Sequence, residues 1–212
     1  MTQTASANNP TKHAAKHVPF WRSEWFTFAM MVVLLTVARS SFANHYQVPS
    51  GSMEPTLMPG DRVAVNMMAY GVRVPFTDIE LVDRGEPKPG DVVVFKSPTD
   101  GTRLIKRVVA VGGDTVAVVD GRLWIDGQPL HDADASDIEH FGACDVHLNL
   151  RDGGGPDLAT VAIPAGMALV LGDHRGNSQD GRFFGLVPMK SLYARASAVY
   201  YRSGDGFGWT KL

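Results

Sequence analysis

Three separated stretches of the chain hold residues whose types and spacing could do chemistry. In the first, Val48-Pro-Ser-Gly-Ser-Met-Glu-Pro-Thr-Leu57, two serines flank a glycine between two prolines. Pro49 and Pro55 restrict the backbone on either side, and Gly51 admits conformations that other residues resist. Such a loop can present the Ser52 hydroxyl as a nucleophile. Its own N–H and the Ser50 hydroxyl beside it can then hold a developing oxyanion. A polar linker of the same composition is the plainer reading of these residues.

A nucleophilic serine needs a base. Seven histidines are present, and none of His13, His17, His45, His131, His140, His147 and His174 has a distinctive setting. A Ser/His/Asp triad is thus possible but not signalled. Lys106 is the more interesting candidate. It lies inside Leu104-Ile-Lys-Arg-Val-Val-Ala-Val111, where a strand would set Leu104, Lys106, Val108 and Ala110 on one face and Arg107 on the other. An unperturbed lysine near pKa 10.4 is neutral only about one part in a thousand at neutral pH. Burial disfavours the charged form. A drop of about two units costs roughly 3 kcal/mol and makes the neutral amine about a hundredfold more available. Such an amine can take a proton from Ser52 and return it to a leaving amine. The alternative is a lysine at a strand end whose stem covers apolar surface and whose amine reaches water.

The third stretch, Gly172-Asp-His-Arg-Gly-Asn-Ser-Gln-Asp-Gly-Arg-Phe-Phe-Gly-Leu-Val-Pro188, follows the apolar run Ala168–Leu171 and is dense in hydrogen-bonding side chains and glycines. It reads as a loop able to brace a site with a hydroxyl and an ion pair, or as a surface turn. His131, Asp132, Asp134, Asp137, Glu139 and His140 raise a metal question, but their spacing fits neither a calcium loop nor a helical histidine pair. They read as a solvated acidic surface, and no metal site is expected.

The elements that must position these residues are short strands. Asp61–Val65, Asp91–Phe95, Leu104–Val111, Thr115–Val119, Leu123–Ile125, Ala168–Leu171 and Ala194–Tyr201 are β-rich runs separated by turn signals. Asp120-Gly121 reads as a tight hairpin turn. Residues 128–160 are polar and Asp-rich and read as a surface insertion. The expected fold is mostly β, an antiparallel, barrel-like catalytic domain over 44–212 with a small insertion.

Ahead of it, Trp25–Ala38 is apolar and uncharged between Glu24 and Arg39. It reaches the ~20 residues that cross a bilayer only if Arg39 snorkels and the helix continues to Ala43. An uncleaved anchor over 23–43, a cleavable signal peptide ending at Ser41-Phe42-Ala43 and a buried soluble helix compete. Residues 1–22 carry Lys12, Lys16 and Arg22 and no acidic residue, which sets this tail in the cytoplasm and the domain beyond the membrane. Ser52 lies nine positions past Ala43, so within roughly 30 Å of the membrane exit.

Bulk properties narrow the field. A chain of 212 residues holds one ordinary domain plus an appendage. With 20 basic against 22 acidic residues there is no footing for nucleic acid. Cys144 is the only cysteine, so an internal disulfide is impossible.

Together the three stretches resemble type I signal peptidase, a Ser/Lys dyad serine protease family. Its nucleophile motif, Pro-Ser-Gly-Ser-Met-x-Pro-Thr-Leu, is matched from Pro49 to Leu57. Its lysine motif is matched by Leu104–Val108 with Gly113-Asp114, and its last motif by Gly172–Arg182. The resemblance implies Ser52 as nucleophile, Lys106 as general base, and an oxyanion hole from Ser50 and Ser52. It further implies Ser178 as the residue orienting the lysine, with Gly172, Asp173, Asp180 and Arg182 in support. His174, Gly176 and Gly181 depart from the family's Asn, Asp and Ser and are expected to alter loop packing more than activity. Residues 120–165 match only loosely.

The resemblance also implies partners. These are a lipid bilayer, on whose extracytoplasmic face the single-pass protein of the cytoplasmic membrane works, and preproteins whose signal peptides bind as an extended strand. Cleavage follows small residues at −1 and −3. Met53, Leu104 and Ile105 are expected along that cleft, and apolar residues around Met67–Phe76, including Tyr70, either at the bilayer interface or in ordinary core packing. No cofactor is expected. A conjugative-transfer processing peptidase, a self-cleaving repressor-like enzyme and a non-enzymatic membrane-tethered β domain are the alternatives.

Overall fold

The computed structural model describes residues 24–41, 44–73, 80–83, 85–132 and 137–212. The expected tail over 1–22, and Phe42 and Ala43 of the small-x-small site, lie outside them. The chain divides into two units, residues 1–38 and 39–212. Helix α1 (Glu24–Ser41) forms where the apolar run was expected. Its 18 residues extend about 27 Å, and among the described residues no helix is long and apolar enough to cross a membrane. Trp25, Phe28 and Leu35 on this helix are exposed.

The second unit is mostly strand. It starts with β1 (Asn44–Gln47), β2 (Arg62–Asn66), β3 (Gly71–Arg73), β4 (Glu80–Asp83), β5 (Val92–Lys96) and β6 (Arg103–Val111). Next come β7 (Thr115–Val119), β8 (Arg122–Ile125), β9 (Gln128–Pro129), β10 (Ile138–Phe141), β11 (Cys144–His147) and β12 (Leu158–Ala162). The chain closes with β13 (Met167–Leu171), a four-residue helix α2 (Gly181–Phe184), β14 (Val187–Pro188), β15 (Ala194–Arg202) and β16 (Gly206–Lys211).

The main sheet runs β1-β2-β15-β5-β6-β13-β14, with β16 added on β15. Its paired strands are antiparallel. The barrel expected from the sequence is not closed among the described residues, because β1 and β14 end the path without meeting. Strand β14 is only two residues long and ends in Pro188, which removes a ladder donor and terminates pairing.

Strand β5 is apolar on both faces because both are covered. Val92 and Val94 join a core with Val48, Met53, Leu57, Val63 and Val65. Val93 and Phe95 join another with Val108, Val170 and Leu192. Strand β6 follows its expected alternation only in part. A register shift opposite β13 pairs Leu169 with Ala110 and Val170 with Val108. The bulge at Val109 sends Ala110 into a third core with Val116, Val118, Leu123 and Leu171.

The insertion has more structure than its polar composition suggests. Strands β12-β7-β8-β9 form a second sheet, and β10 and β11 a hairpin. Asp120 and Gly121, with φ of 50° and 77°, make the tight turn between β7 and β8. Of the two readings for Tyr70 the core one holds, since it is buried and its hydroxyl donates to Asp91 Oδ2 at 2.9 Å. The bilayer-facing expectation for residues 74–79 lies outside the described residues.

Candidate active site

The serine loop around Ser50 and Ser52 connects β1 to β2 and is held from beneath. Val48, Met53 and Leu57 are buried in the first core, and the turn closes through Glu54 N–H to Gly51 O (3.0 Å) and Leu57 N–H to Met53 O (2.9 Å). The apolar members of the motif thereby fix the loop while Ser50 stays exposed and Ser52 half-buried. Met53 has no exposed surface, whereas Leu104 and Ile105 are half-buried on β6.

Lys106 stands on β6 with only 2% of its surface exposed. Its Nζ donates to Ser52 Oγ at 2.6 Å. Burial lowers its pKa from 10.5 to about 8, against the opposing pull of Asp180 and Asp173, while Arg182 lowers it further. At pH 7 an amine with that pKa is neutral in roughly one molecule in ten, against fewer than one in a thousand for a free lysine. The amine that the sequence placed in an apolar row is therefore both buried and in contact with the hydroxyl.

The loop after β13 passes directly behind this pair. A Cβ at Gly172 would lie 2.2 Å from Ser178 Oγ and 2.4 Å from the Ser52 carbonyl, so only glycine permits the approach. Asp180 accepts from Gly172 N–H at 3.0 Å and holds Arg182 through Nε and Nη2, each at 2.9 Å. Arg182 in turn donates to the carbonyls of Gly154 and Arg175, both at 2.6 Å. Ser178 Oγ is buried without a hydrogen-bond partner. The expected bond from Ser178 to the lysine amine is thus not formed in this structure, although the hydroxyl sits at the same crowded glycine as Ser52.

Two buried ion pairs support the loop from either side. Arg107, on the face of β6 opposite Lys106, donates from Nε to Asp173 Oδ1 (2.9 Å) and from Nη2 to Oδ2 (2.7 Å). Thr56 Oγ1 donates to the same carboxylate, which ties the nucleophile loop to β6. On the other side, Arg175 donates to both oxygens of Glu139 at 2.9 and 2.6 Å, and both side chains are fully buried. Arg175 Nε also donates to the Gly172 carbonyl at 3.1 Å.

Glu139 was expected on a solvated acidic surface and is instead inside the protein, as its register on β10 dictates. Glu139, Arg175, Thr56 and the Arg107 contact carried no local signal. A glutamate beside apolar Ile138 and Phe141 on a short strand was the single available hint.

A family model described as signal peptidase, peptidase S26, matches residues 22–201. Signal peptidase I of Pseudomonas fluorescens is 34% identical over 200 residues, covering 82% of this chain and 70% of its own length. That of Pseudomonas aeruginosa is 33% identical over 203 residues, with 82% and 70% covered. Signal peptidase I of Aquifex aeolicus is 28% identical over 219 residues, with 81% of each chain covered. The family match takes in the serine loop, the β6 lysine and the loop behind them, and the chain belongs to the signal peptidase family, peptidase S26.

Proposed function

We propose that this chain is a membrane-anchored endopeptidase that removes signal peptides from exported preproteins through an acyl-enzyme on Ser52, with neutral Lys106 as general base. The observation that carries this reading is the 2.6 Å contact between Ser52 Oγ and a buried Lys106 Nζ. Once deprotonated, the amine accepts the Ser52 proton as the oxygen attacks the scissile carbonyl. The oxyanion rests on the Ser52 N–H and the Ser50 hydroxyl. The Lys106 ammonium then gives its proton to the departing amine, the acyl-enzyme forms, and water attacks with Lys106 again as base. Asp180, Arg182, Asp173 and Gly172 hold the backbone behind the dyad. Ser178 supplies a hydroxyl that can turn to the amine when Ser52 is acylated.

Strand topology supports an extended substrate. Residues 103–106 of β6 pair with β5, whereas pairing with β13 begins only at Arg107. Among the described residues no strand pairs with their other edge, which leaves it for a substrate strand. Leu104 and Ile105 flank that edge, and Met53, fully buried next to Ser52, is assigned to the side-chain pocket that would favour cleavage after small residues at −1 and −3.

The exposed apolar side chains of α1 support lipid anchoring, with residues 23–43 as the anchor, 1–22 cytoplasmic and 44–212 beyond the cytoplasmic membrane. Alkaline carbonate washing of membranes tests this part, and release of the intact chain into the supernatant would contradict it.

For the chemistry, purified protein in detergent is incubated with a preprotein beside the Ser52→Ala and Lys106→Ala variants. Cleavage by the parent alone, at a small-x-small site and unaffected by metal chelators, is expected. Activity surviving in both variants would remove the mechanism.

A further inference from the structure

The ring of His174 is the one imidazole among the described residues that touches the nucleophile loop. It is 5% exposed. Its backbone N–H donates to the Ser52 carbonyl at 3.2 Å, and its Nδ1 lies 3.3 Å from the Gly51 carbonyl. Glu54 Oε2 stands 3.7 Å from the same nitrogen and Asn149 Nδ2 3.4 Å. On the far side Nε2 lies 2.9 Å from Asp152 Oδ2, close but without hydrogen-bond alignment.

These contacts bear on Ser52 from both directions. The Gly51 carbonyl and the Ser52 N–H belong to one planar peptide group. Whatever holds that oxygen sets where the Ser52 N–H points. The next peptide, through the Ser52 carbonyl, is held by the His174 backbone. The Gly51 carbonyl at 3.3 Å, with the Glu54 carboxylate beyond it, assigns a ring proton to Nδ1. Gly51 O already accepts from Glu54 N–H, and the imidazole fills its second lone pair. A carbonyl that accepts hydrogen bonds polarises its peptide and strengthens the attached N–H as a donor.

The backbone on either side of the ring is held by a segment outside the motif. Asn149 N–H donates to the Asp173 carbonyl (2.9 Å), and Arg175 N–H donates to Asn149 O (3.1 Å). A Cβ at Gly176 would meet the Asp152 carbonyl at 2.3 Å, so the loosely matching insertion reaches the catalytic loop through residues 149–153.

We propose that His174 is a positioning residue that orients the Ser52 peptide as an oxyanion donor, with Asn149 and Asp152 of the insertion flanking the imidazole. This rests on the reading of Ser52 given above. Asparagine carries its Nδ2 where histidine carries Nδ1, so His174→Asn keeps the donor while His174→Leu removes it at similar bulk. Loss of a direct oxyanion donor costs about 10²–10³ in kcat, and an indirect loss less. His174→Leu is expected to lower kcat roughly ten- to a hundredfold, with KM and the acid limb of the pH profile unmoved. His174→Asn should restore kcat to within about threefold.

The backbone resonance of Ser52 in the 15N-labelled full chain in detergent supplies a readout independent of turnover. It should move in His174→Leu and return towards the parent position in His174→Asn. Should the parent cleave no preprotein, the proposed function fails while the Ser52 resonance still decides the positioning. An unmoved resonance, or equal kcat in the parent and His174→Leu, overturns the inference.

Discussion

Lys106 Nζ and Ser52 Oγ meet at 2.6 Å although 54 positions separate them in the chain. The contact joins a strand whose neighbours exclude water to a loop anchored by Met53 and Leu57. The strand lowers the amine's proton affinity and the loop brings the hydroxyl to it. Neither element alone brings a buried amine to a serine hydroxyl.

The first consequence is a pH dependence. Since the pKa of Lys106 is lowered to about 8 and its neutral amine is the proposed base, kcat/KM should rise about tenfold per pH unit below that value and level off above it. A pH–rate profile on a preprotein in detergent checks this. An acid limb near the histidine range would reassign the base.

The same shift governs stability. A lysine whose folded pKa lies below its unfolded value destabilises the fold fully below the folded pKa, and this penalty disappears as pH rises towards the unfolded one. Between about 8 and 10.5 stability should therefore increase with pH. Lys106→Met, which buries no charge, should gain roughly 3 kcal/mol at pH 7, with the gain vanishing near pH 10.5. Urea unfolding at several pH values measures it.

Glu139 and Arg175 give a prediction for the insertion. Removing one partner of a fully buried pair costs about 3–5 kcal/mol because the other charge is left uncompensated. Glu139→Ala should show that loss in urea unfolding, and the double variant Glu139→Ala with Arg175→Met should recover part of it. Additive losses would mean that the pair is not coupled.

Gly172→Ala addresses the crowding behind the dyad. The added methyl overlaps Ser178 Oγ and the Ser52 carbonyl, so the nucleophile loop must shift. Misplacement of about 1 Å can cost a hundredfold in rate. The expected outcome is a loss of about that size in kcat with a folded protein by circular dichroism. Full activity would show that the loop has room to yield.

Much of this protein is written locally in its chain. The alternation and bounding turns of Thr115–Val119 and Arg122–Ile125, with Asp120-Gly121 between them, specify a hairpin without reference to anything distant. The serine loop and the lysine strand are likewise recognisable from residue types a few positions apart, because side-chain periodicity and turn chemistry act over that range. Tertiary structure alone decided that the main sheet stays open among the described residues and that Glu139 turns inward to Arg175, 36 positions away. It also decided that Arg107 reaches Asp173 across 66 and that the imidazole of His174 closes on the Gly51 carbonyl. A buried charge takes whichever partner the packed strands bring within bonding distance. That proximity is a property of strand order and register, which no local pattern records.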